Sequence, residues 1–137
     1  GALLHKTVTI EMRMAEKIEY VRAIKNFLQS QKMSETDINM LLQMAHDISY
    51  KGAGVPTPMK TIEGMIVQDA DRIESMGAVG IARALNKGGE RGENLFDAHI
   101  IPFLHETPEQ YTKRRNTSIN HFYEKLLLLK DRLIRLP

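Results

Sequence analysis

The amino-acid sequence predicts an all-α protein, a helical bundle formed by a single domain. Apolar residues recur at intervals of three and four through most of the chain, which is the spacing that lines one face of a helix. No segment alternates apolar and polar residues as a half-buried strand does. The 137 residues, 42% of them hydrophobic, are enough to form one core.

The first part of the chain predicts two helices and then a break. An amphipathic helix runs from about residue 10 to residue 31. A second helix starts after Ser34, a favoured N-cap, and carries Asp37 in its first turn, where an acid complements the helix dipole. Residues 50–60 hold two glycines and two prolines, which together exclude a continuous helix.

A long helix is predicted in the middle of the chain. Thr61 is expected to cap a helix over residues 62–87, and Gly88-Gly89 is expected to end it. Gly77 and Gly80 lie inside this helix, where a glycine costs roughly 1 kcal/mol relative to alanine. We therefore expect another helix or a substrate to approach the backbone closely at these two positions.

The last third of the sequence predicts a loop and two helices. Residues 90–106 show no periodicity, and loops of this length are often functional. Thr107 is expected to cap a helix that has Pro108 at its first position and Gln110 at its third. A final helix is predicted over residues 118–136, with apolar residues along its buried side.

The composition excludes several classes of protein. The chain has no cysteine, which rules out disulfides, thiolate nucleophiles and cysteine-ligated zinc. The longest leucine run, residues 126–129, is far shorter than the roughly 18 apolar residues that span a bilayer. The net charge is +2, and the one dense basic cluster, residues 113–115, is typical of a solvated surface. We therefore expect a cytoplasmic protein without a membrane or specific nucleic-acid partner.

The candidate metal-ligating residues of the predicted central helix are Asp69 and Asp71. Two positions apart, these residues point about 200° away from each other around the helix. They are therefore not expected to ligate the same metal ion. Solvation, or hydrogen bonding to Arg72, would also explain both acids, and the pattern of residues alone predicts no more than a candidate site.

Four segments resemble a bacterial subfamily of the HD-domain phosphohydrolases. Residues 62–73, IEGMIVQDADRI, are similar to that subfamily's LEGKIVQDADRL segment. The other three similar segments, in the same order as in the subfamily, are ISYKG at 48–52, GAVGIAR at 77–83 and INHFYEKLL at 119–127. The resemblance covers most of residues 45–130.

This resemblance implies an HD-domain-like helical bundle that holds a divalent metal, Mn²⁺ or a similar ion. Such a metal polarises a phosphoryl group and activates water, so that a nucleotide phosphate ester is hydrolysed. The last aspartate of the family's metal-ligand set corresponds to Asp71, and Asp69 is the fallback. Asp71 and the ligand histidine are the expected catalytic residues.

The upstream ligands depart from the family pattern. His46-Asp47 has the letters of the HD motif, but it directly precedes the 48–52 turn, so we do not assign it that role. Residues 2–6, ALLHK, resemble the family's ALLHD, which makes His5 the ligand histidine. Lys6 then stands where the metal-binding aspartate belongs, and an ammonium group cannot ligate a cation.

Two explanations are open for the incomplete ligand set. The 137 residues are interpreted as one HD-like domain, residues 1–137, that lacks the helix bearing the first ligand histidine. Either an N-terminal part of the protein is missing from this chain, or the chain is a diverged member that kept the fold and lost the metal. Whether the chain is an enzyme is therefore left undecided at this level.

Four further residues are candidates for substrate binding. His121 and Lys125 are four positions apart on the last helix and share a face, which makes them a candidate pair for recognising phosphate. Arg83 and Lys51 are candidates for the same role. For each of them a core or solvated role is the competing interpretation.

Three functions compete. The first is a metal-dependent phosphohydrolase acting on nucleotides or other phosphate esters. The second is a catalytically degenerate HD-fold module that binds a nucleotide or a partner protein without turnover. The third is a structural domain that forms homo-oligomers through apolar helices, for which an exposed ridge at Leu126–Leu129 is expected.

Overall fold

The computed structural model describes residues 14–113 and 116–134, and the protein is all-α as predicted. Within these residues it contains no β-strand. The helices are α1 (Met14–Ser30), α2 (Glu35–Ile48), α3 (Ile62–Met76), α4 (Ala78–Glu90), α5 (Pro108–Lys113), α6 (Ser118–Glu124) and a 3₁₀ helix (Leu126–Arg132). No helix in the described part is long and apolar enough to cross a lipid bilayer.

The start of α2 confirms its predicted cap. The Ser34 hydroxyl accepts a hydrogen bond from the backbone N–H of Asp37 at 3.1 Å. Helix α2 then buries Ile38, Met44 and Ile48 between α1 and α3. The spacing of these apolar residues therefore sets which face of α2 enters the core.

The long helix predicted over residues 62–87 is in fact two helices. Thr61 caps α3 as predicted, accepting from the N–H of Gly64 at 3.1 Å, but the chain turns at Gly77. Gly77 has φ −79° and ψ 175°, an extended conformation that ends α3 and starts α4. Helix α4 runs on through Gly88-Gly89 to Glu90, so the predicted stop at these glycines is also wrong.

The close approach expected near Gly77 and Gly80 is found at Gly80. A Cβ atom on Gly80 would overlap the backbone carbonyl of Ser75. The neighbour at that point is thus the preceding helix of the same chain, since α4 folds back against the last turn of α3. At Gly88, a Cβ atom would overlap the Ser118 hydroxyl, so this second glycine lets α4 approach the start of α6.

The C-terminal helices agree with the prediction at their starts and differ at the end. Gln110 and Thr107 form the predicted reciprocal cap of α5. The final helix was expected to run to residue 136, but α6 ends at Glu124 and a 3₁₀ helix follows. With three residues per turn, this helix places Leu126 and Leu129 on one buried face and exposes Leu127. The exposed leucine ridge of the structural-domain hypothesis is therefore not observed.

Two arginines join the end of the 3₁₀ helix to α3 and to the 49–61 connection. Arg72 is buried in α3 and donates to Thr57 Oγ1 at 3.2 Å and to the carbonyl of Arg132. Arg132 in turn donates to the carbonyls of Val55, at 3.0 Å, and Ala53. Guanidinium groups removed from water need such partners, and here the partners come from the 49–61 connection and the end of the 3₁₀ helix.

Candidate functional site

A cleft of about 630 Å³ lies between α3, α4, α6 and the residues that connect α4 to α6. Its lining includes the second half of α3, one face of α4 and the inner face of α6. The charged side chains and histidines that line it are four basic residues, three acidic residues and two histidines: Arg83, Lys87, Arg91, Lys125, Asp71, Glu93, Glu124, His105 and His121. The described lining therefore combines a slight excess of positive charge with carboxylates.

Four of the predicted site residues line this one cleft. Asp71 lies on α3, Arg83 on α4, and His121 and Lys125 at the inner face and end of α6. They come from α3, from α4, which follows it after Gly77, and from the much later α6. The fold therefore brings together the predicted metal ligand and three of the four predicted substrate-binding residues.

The remaining predicted residues do not line the cleft within the described structure. Lys51 lies with its Nζ 3.1 Å from His46 Nε2 and 3.9 Å from the Asp47 carboxylate, at the end of α2. The Asp69 carboxylate accepts from the backbone N–H of Ile134 at 2.9 Å. His5, the other predicted metal ligand, and Lys6 are outside the described residues.

The placement of Asp69 agrees with the expected divergence of the two aspartates. In addition to the Ile134 N–H, its Oδ1 lies 3.5 Å from Arg72 Nη1, with both side chains largely buried. These contacts hold the C-terminal segment against α3. Asp69 is thus engaged on one side of α3, whereas Asp71 faces the cleft on another.

Two basic residues of the cleft were missed by the sequence analysis. Lys87 and Arg91 follow Arg83 at intervals of four, which places them on the same face at the end of α4. Each contacts a nearby carboxylate: Lys87 lies 3.6 Å from Glu90 and Arg91 lies 3.7 Å from Glu93. The four-residue spacing was a signal that could have identified them.

Glu124 was also missed, and it is fully buried. Its Oε1 accepts from the backbone N–H of Phe103 at 2.7 Å, and its Oε2 accepts from the Asn116 side-chain amide. His105, also buried, has its Nε2 3.9 Å from the same carboxylate. No local sequence signal indicates this role, because the partners are 8–21 residues away.

Burial controls the protonation of His121 and Tyr111 in the cleft. The pKa of His121 falls from 6.5 to about 4, chiefly because burial disfavours the imidazolium, and then because Lys125 and Arg91 are positively charged. Burial likewise raises the pKa of Tyr111, whose hydroxyl stays protonated. At neutral pH, His121 therefore presents a neutral imidazole, which can both donate and accept a hydrogen bond.

The described residues do not by themselves form a complete metal site. Over residues 14–113 and 116–134, no group of three or more His, Cys, Asp or Glu side chains is arranged to hold a metal ion. Asp71 offers an oxygen ligand of the type that hard divalent ions prefer. A metal at this position would need further ligands from outside the described part of the chain.

Solved structures share this arrangement of helices. A crystallised protein from Lactobacillus plantarum is 33% identical, with a TM-score of 0.85 over 97% of this chain and 61% of its own. An HD-superfamily hydrolase from Bacillus thuringiensis is 32% identical, with a TM-score of 0.56 over 98% of this chain and 57% of its own. The chain therefore has an all-α fold that resembles HD-superfamily structures.

The sequence is also similar to YpgQ of Bacillus subtilis, an uncharacterised protein. The two are 41% identical over 71 residues, which are 52% of this chain and 27% of YpgQ. The crystal structure of YpgQ superposes with a TM-score of 0.64 and 26% identity over 96% of this chain. No family model matches the chain. The chain thus spans about a quarter of the curated relative that it matches in sequence, and about three fifths of the solved structures.

Proposed function

We propose that the protein is a metal-dependent phosphohydrolase of the HD type, acting on nucleotides or other phosphate esters in the cytoplasm. The observation that carries this proposal is the convergence of Asp71 with Arg83, His121 and Lys125 in one cleft. A half-buried carboxylate facing basic side chains suits a ligand that brings both a metal ion and a phosphate. The fold, which resembles that of an HD-superfamily hydrolase, agrees with this chemistry.

In this proposal Asp71 and His5 are metal ligands. Asp71 supplies a carboxylate oxygen from the middle of α3, where the helix fixes its direction towards the cleft. When bound, the metal would polarise the phosphoryl group and lower the pKa of a bound water. Asp71 is the proposed ligand among the residues that the structure describes, and a direct measurement of metal content tests this assignment.

The substrate side of the cleft is assigned to α4 and α6. Arg83, Lys87 and Lys125 supply positive charge for phosphate oxygens. His121 carries no charge at neutral pH, so it is better suited to hydrogen-bond a hydroxyl or a phosphate oxygen than to neutralise one. Lys51 contacts His46 and does not line the cleft, so we do not assign it a role in substrate binding.

The second candidate is a module that binds a phosphate ester without turnover. It is favoured by Lys6 at the position that resembles a metal-ligand aspartate. In this case the basic residues of the cleft would bind the ligand without metal. The two candidates make the same prediction for binding and opposite predictions for hydrolysis.

The test measures metal content and hydrolysis on the same samples of the 137-residue chain. Purified protein is supplied with Mn²⁺ and assayed for bound metal and for phosphate or pyrophosphate release from nucleotides, alongside Asp71→Asn. Glu63→Gln, which changes an exposed acid in the first turn of α3, is the matched control. We expect metal and turnover in the wild type and in the control, and a loss of both in Asp71→Asn.

Two outcomes would decide against the hydrolase. Nucleotide binding without metal uptake or turnover would establish the non-catalytic module. Turnover that survives in Asp71→Asn would contradict the assignment of Asp71 and move the search to other carboxylates of the cleft.

A further inference from the structure

The buried carboxylate of Glu124 connects four segments around the cleft. It accepts from the Phe103 N–H at 2.7 Å and from the Asn116 amide, and it lies 3.9 Å from His105. Its own backbone carbonyl accepts from the Tyr50 hydroxyl at 2.8 Å. Side chain and main chain of this one residue therefore hold the loop after α4, the segment before α6 and the turn after α2.

Only a carboxylate satisfies these contacts as they stand. The two donors, an N–H and an amide NH₂, approach different oxygens of Glu124. A glutamine would turn an NH₂ group towards one of them, which places a donor against a donor. Asn116 cannot simply rotate its amide in compensation, because its Oδ1 already accepts from the N–H of Thr117 at 2.8 Å.

Two residues assigned to substrate binding lie close to Glu124 in the chain. His121 lies one turn before it on α6, and Lys125 directly follows it, at the point where α6 changes into the 3₁₀ helix. Lys125 has φ −140° and ψ −65°, a backbone conformation outside both helices. Its Nζ lies 5.7 Å from the centre of the Tyr50 ring, the same tyrosine that binds the Glu124 carbonyl.

We propose that Glu124 is a positioning residue for phosphate binding, which fixes the end of α6 so that Lys125 and His121 face the cleft that Asp71 also lines. This inference rests on the proposed function. Burying a carboxylate is costly unless its hydrogen bonds are made, and the bonds that Glu124 makes fix the end of α6 at the wall of the cleft.

The test is a double-mutant cycle on the 137-residue chain. Calorimetry measures the affinity for tripolyphosphate, and, if the wild type hydrolyses a substrate, KM and kcat are measured separately. Glu124→Gln is expected to weaken tripolyphosphate binding at least tenfold and to raise KM by a similar factor, with kcat changed less than threefold. Lys125→Met is expected to weaken binding by itself. In the Lys125→Met background, Glu124→Gln should then weaken binding clearly less than it does in the wild type, because one of the two side chains that it positions is already gone.

Two further variants separate positioning from stability. Ile38→Val removes a methyl group from a fully buried residue of α2; it should lower the melting temperature and leave tripolyphosphate affinity unchanged. Tyr50→Phe removes only the hydroxyl that binds the Glu124 carbonyl, and should weaken binding a few-fold without unfolding the chain. If Glu124→Gln does not fold, Tyr50→Phe still tests whether the position of the end of α6 affects phosphate binding.

The outcomes distinguish this inference from the proposed function. If the wild type binds tripolyphosphate and Glu124→Gln, or Tyr50→Phe where the former is unfolded, binds it equally well, Glu124 is structural and the inference alone fails. Additive losses in the cycle would also overturn it, since they would show that Glu124 does not act through Lys125. If the wild type neither binds nor hydrolyses any phosphate compound, the proposed function fails and the inference fails with it.

Discussion

Acidification is predicted to destabilise the protein through His121. In the unfolded chain the pKa of this histidine is near 6.5, whereas burial beside Lys125 and Arg91 lowers it to about 4 in the folded protein. Between these values the unfolded state binds more protons, so the free energy of unfolding falls as the pH falls. At about 1.4 kcal/mol per pH unit, the predicted loss between pH 7 and pH 5 is about 2 kcal/mol.

The loss is measured by urea denaturation at pH 5 and pH 7 on the wild type and on His121→Asn. The variant removes the titrating group, so its free energy of unfolding should depend on pH by about 2 kcal/mol less than that of the wild type. His99→Asn, which removes an exposed histidine of the loop after α4, should keep the wild-type dependence. Equal pH dependence in the wild type and His121→Asn would refute the argument, and would mean that His121 is hydrated enough to be protonated in the folded state.

Two other predictions concern the helices that frame the cleft. Gly80→Ala should lower the free energy of unfolding by about 1–3 kcal/mol, because the new Cβ overlaps the Ser75 carbonyl. Gly89 lies in the same helix, and no atom lies within 4 Å of a Cβ added there, so Gly89→Ala should raise the free energy of unfolding by up to about 1 kcal/mol. Similar effects of the two substitutions in chemical denaturation would contradict the packing of α4 against α3. Thr61→Ala removes the cap of α3 and should cost about 1 kcal/mol in the same assay, whereas Thr61→Ser should recover most of that loss.

Local chemistry made the starts of the helices predictable. Ser34, Thr61 and Thr107 cap helices through contacts with residues three positions away, and such short-range patterns are visible in a sequence. The ends were predicted less well. The turn at Gly77 and the change to a 3₁₀ helix after Glu124 depend on how α3, α4 and the 3₁₀ helix pack together, which no short pattern contains.

The candidate site was predictable to a similar extent. The resemblance to HD-domain hydrolases singled out Asp71, and helical spacing paired His121 with Lys125; these residues do share a cleft. The sequence assigned no role to Glu124 or His105, because these residues come together only when the loop after α4 folds onto α6. The roles of Asp71 and His5 as metal ligands stay predictions.

The turn at Gly77 determines whether Asp71 and Arg83 can serve the same ligand. On one straight helix these residues, twelve positions apart, would be separated by about 18 Å along the axis and by about 120° around it. No single phosphate group could then touch both. Instead, the chain changes direction at the extended residue Gly77, and α4 packs against the last turn of α3 at Gly80. Asp71 and Arg83 therefore line the same cleft. The bend in the backbone at Gly77 thus decides which side chains share the cleft. A sequence that straightened this bend would keep every candidate side chain and still lose the site.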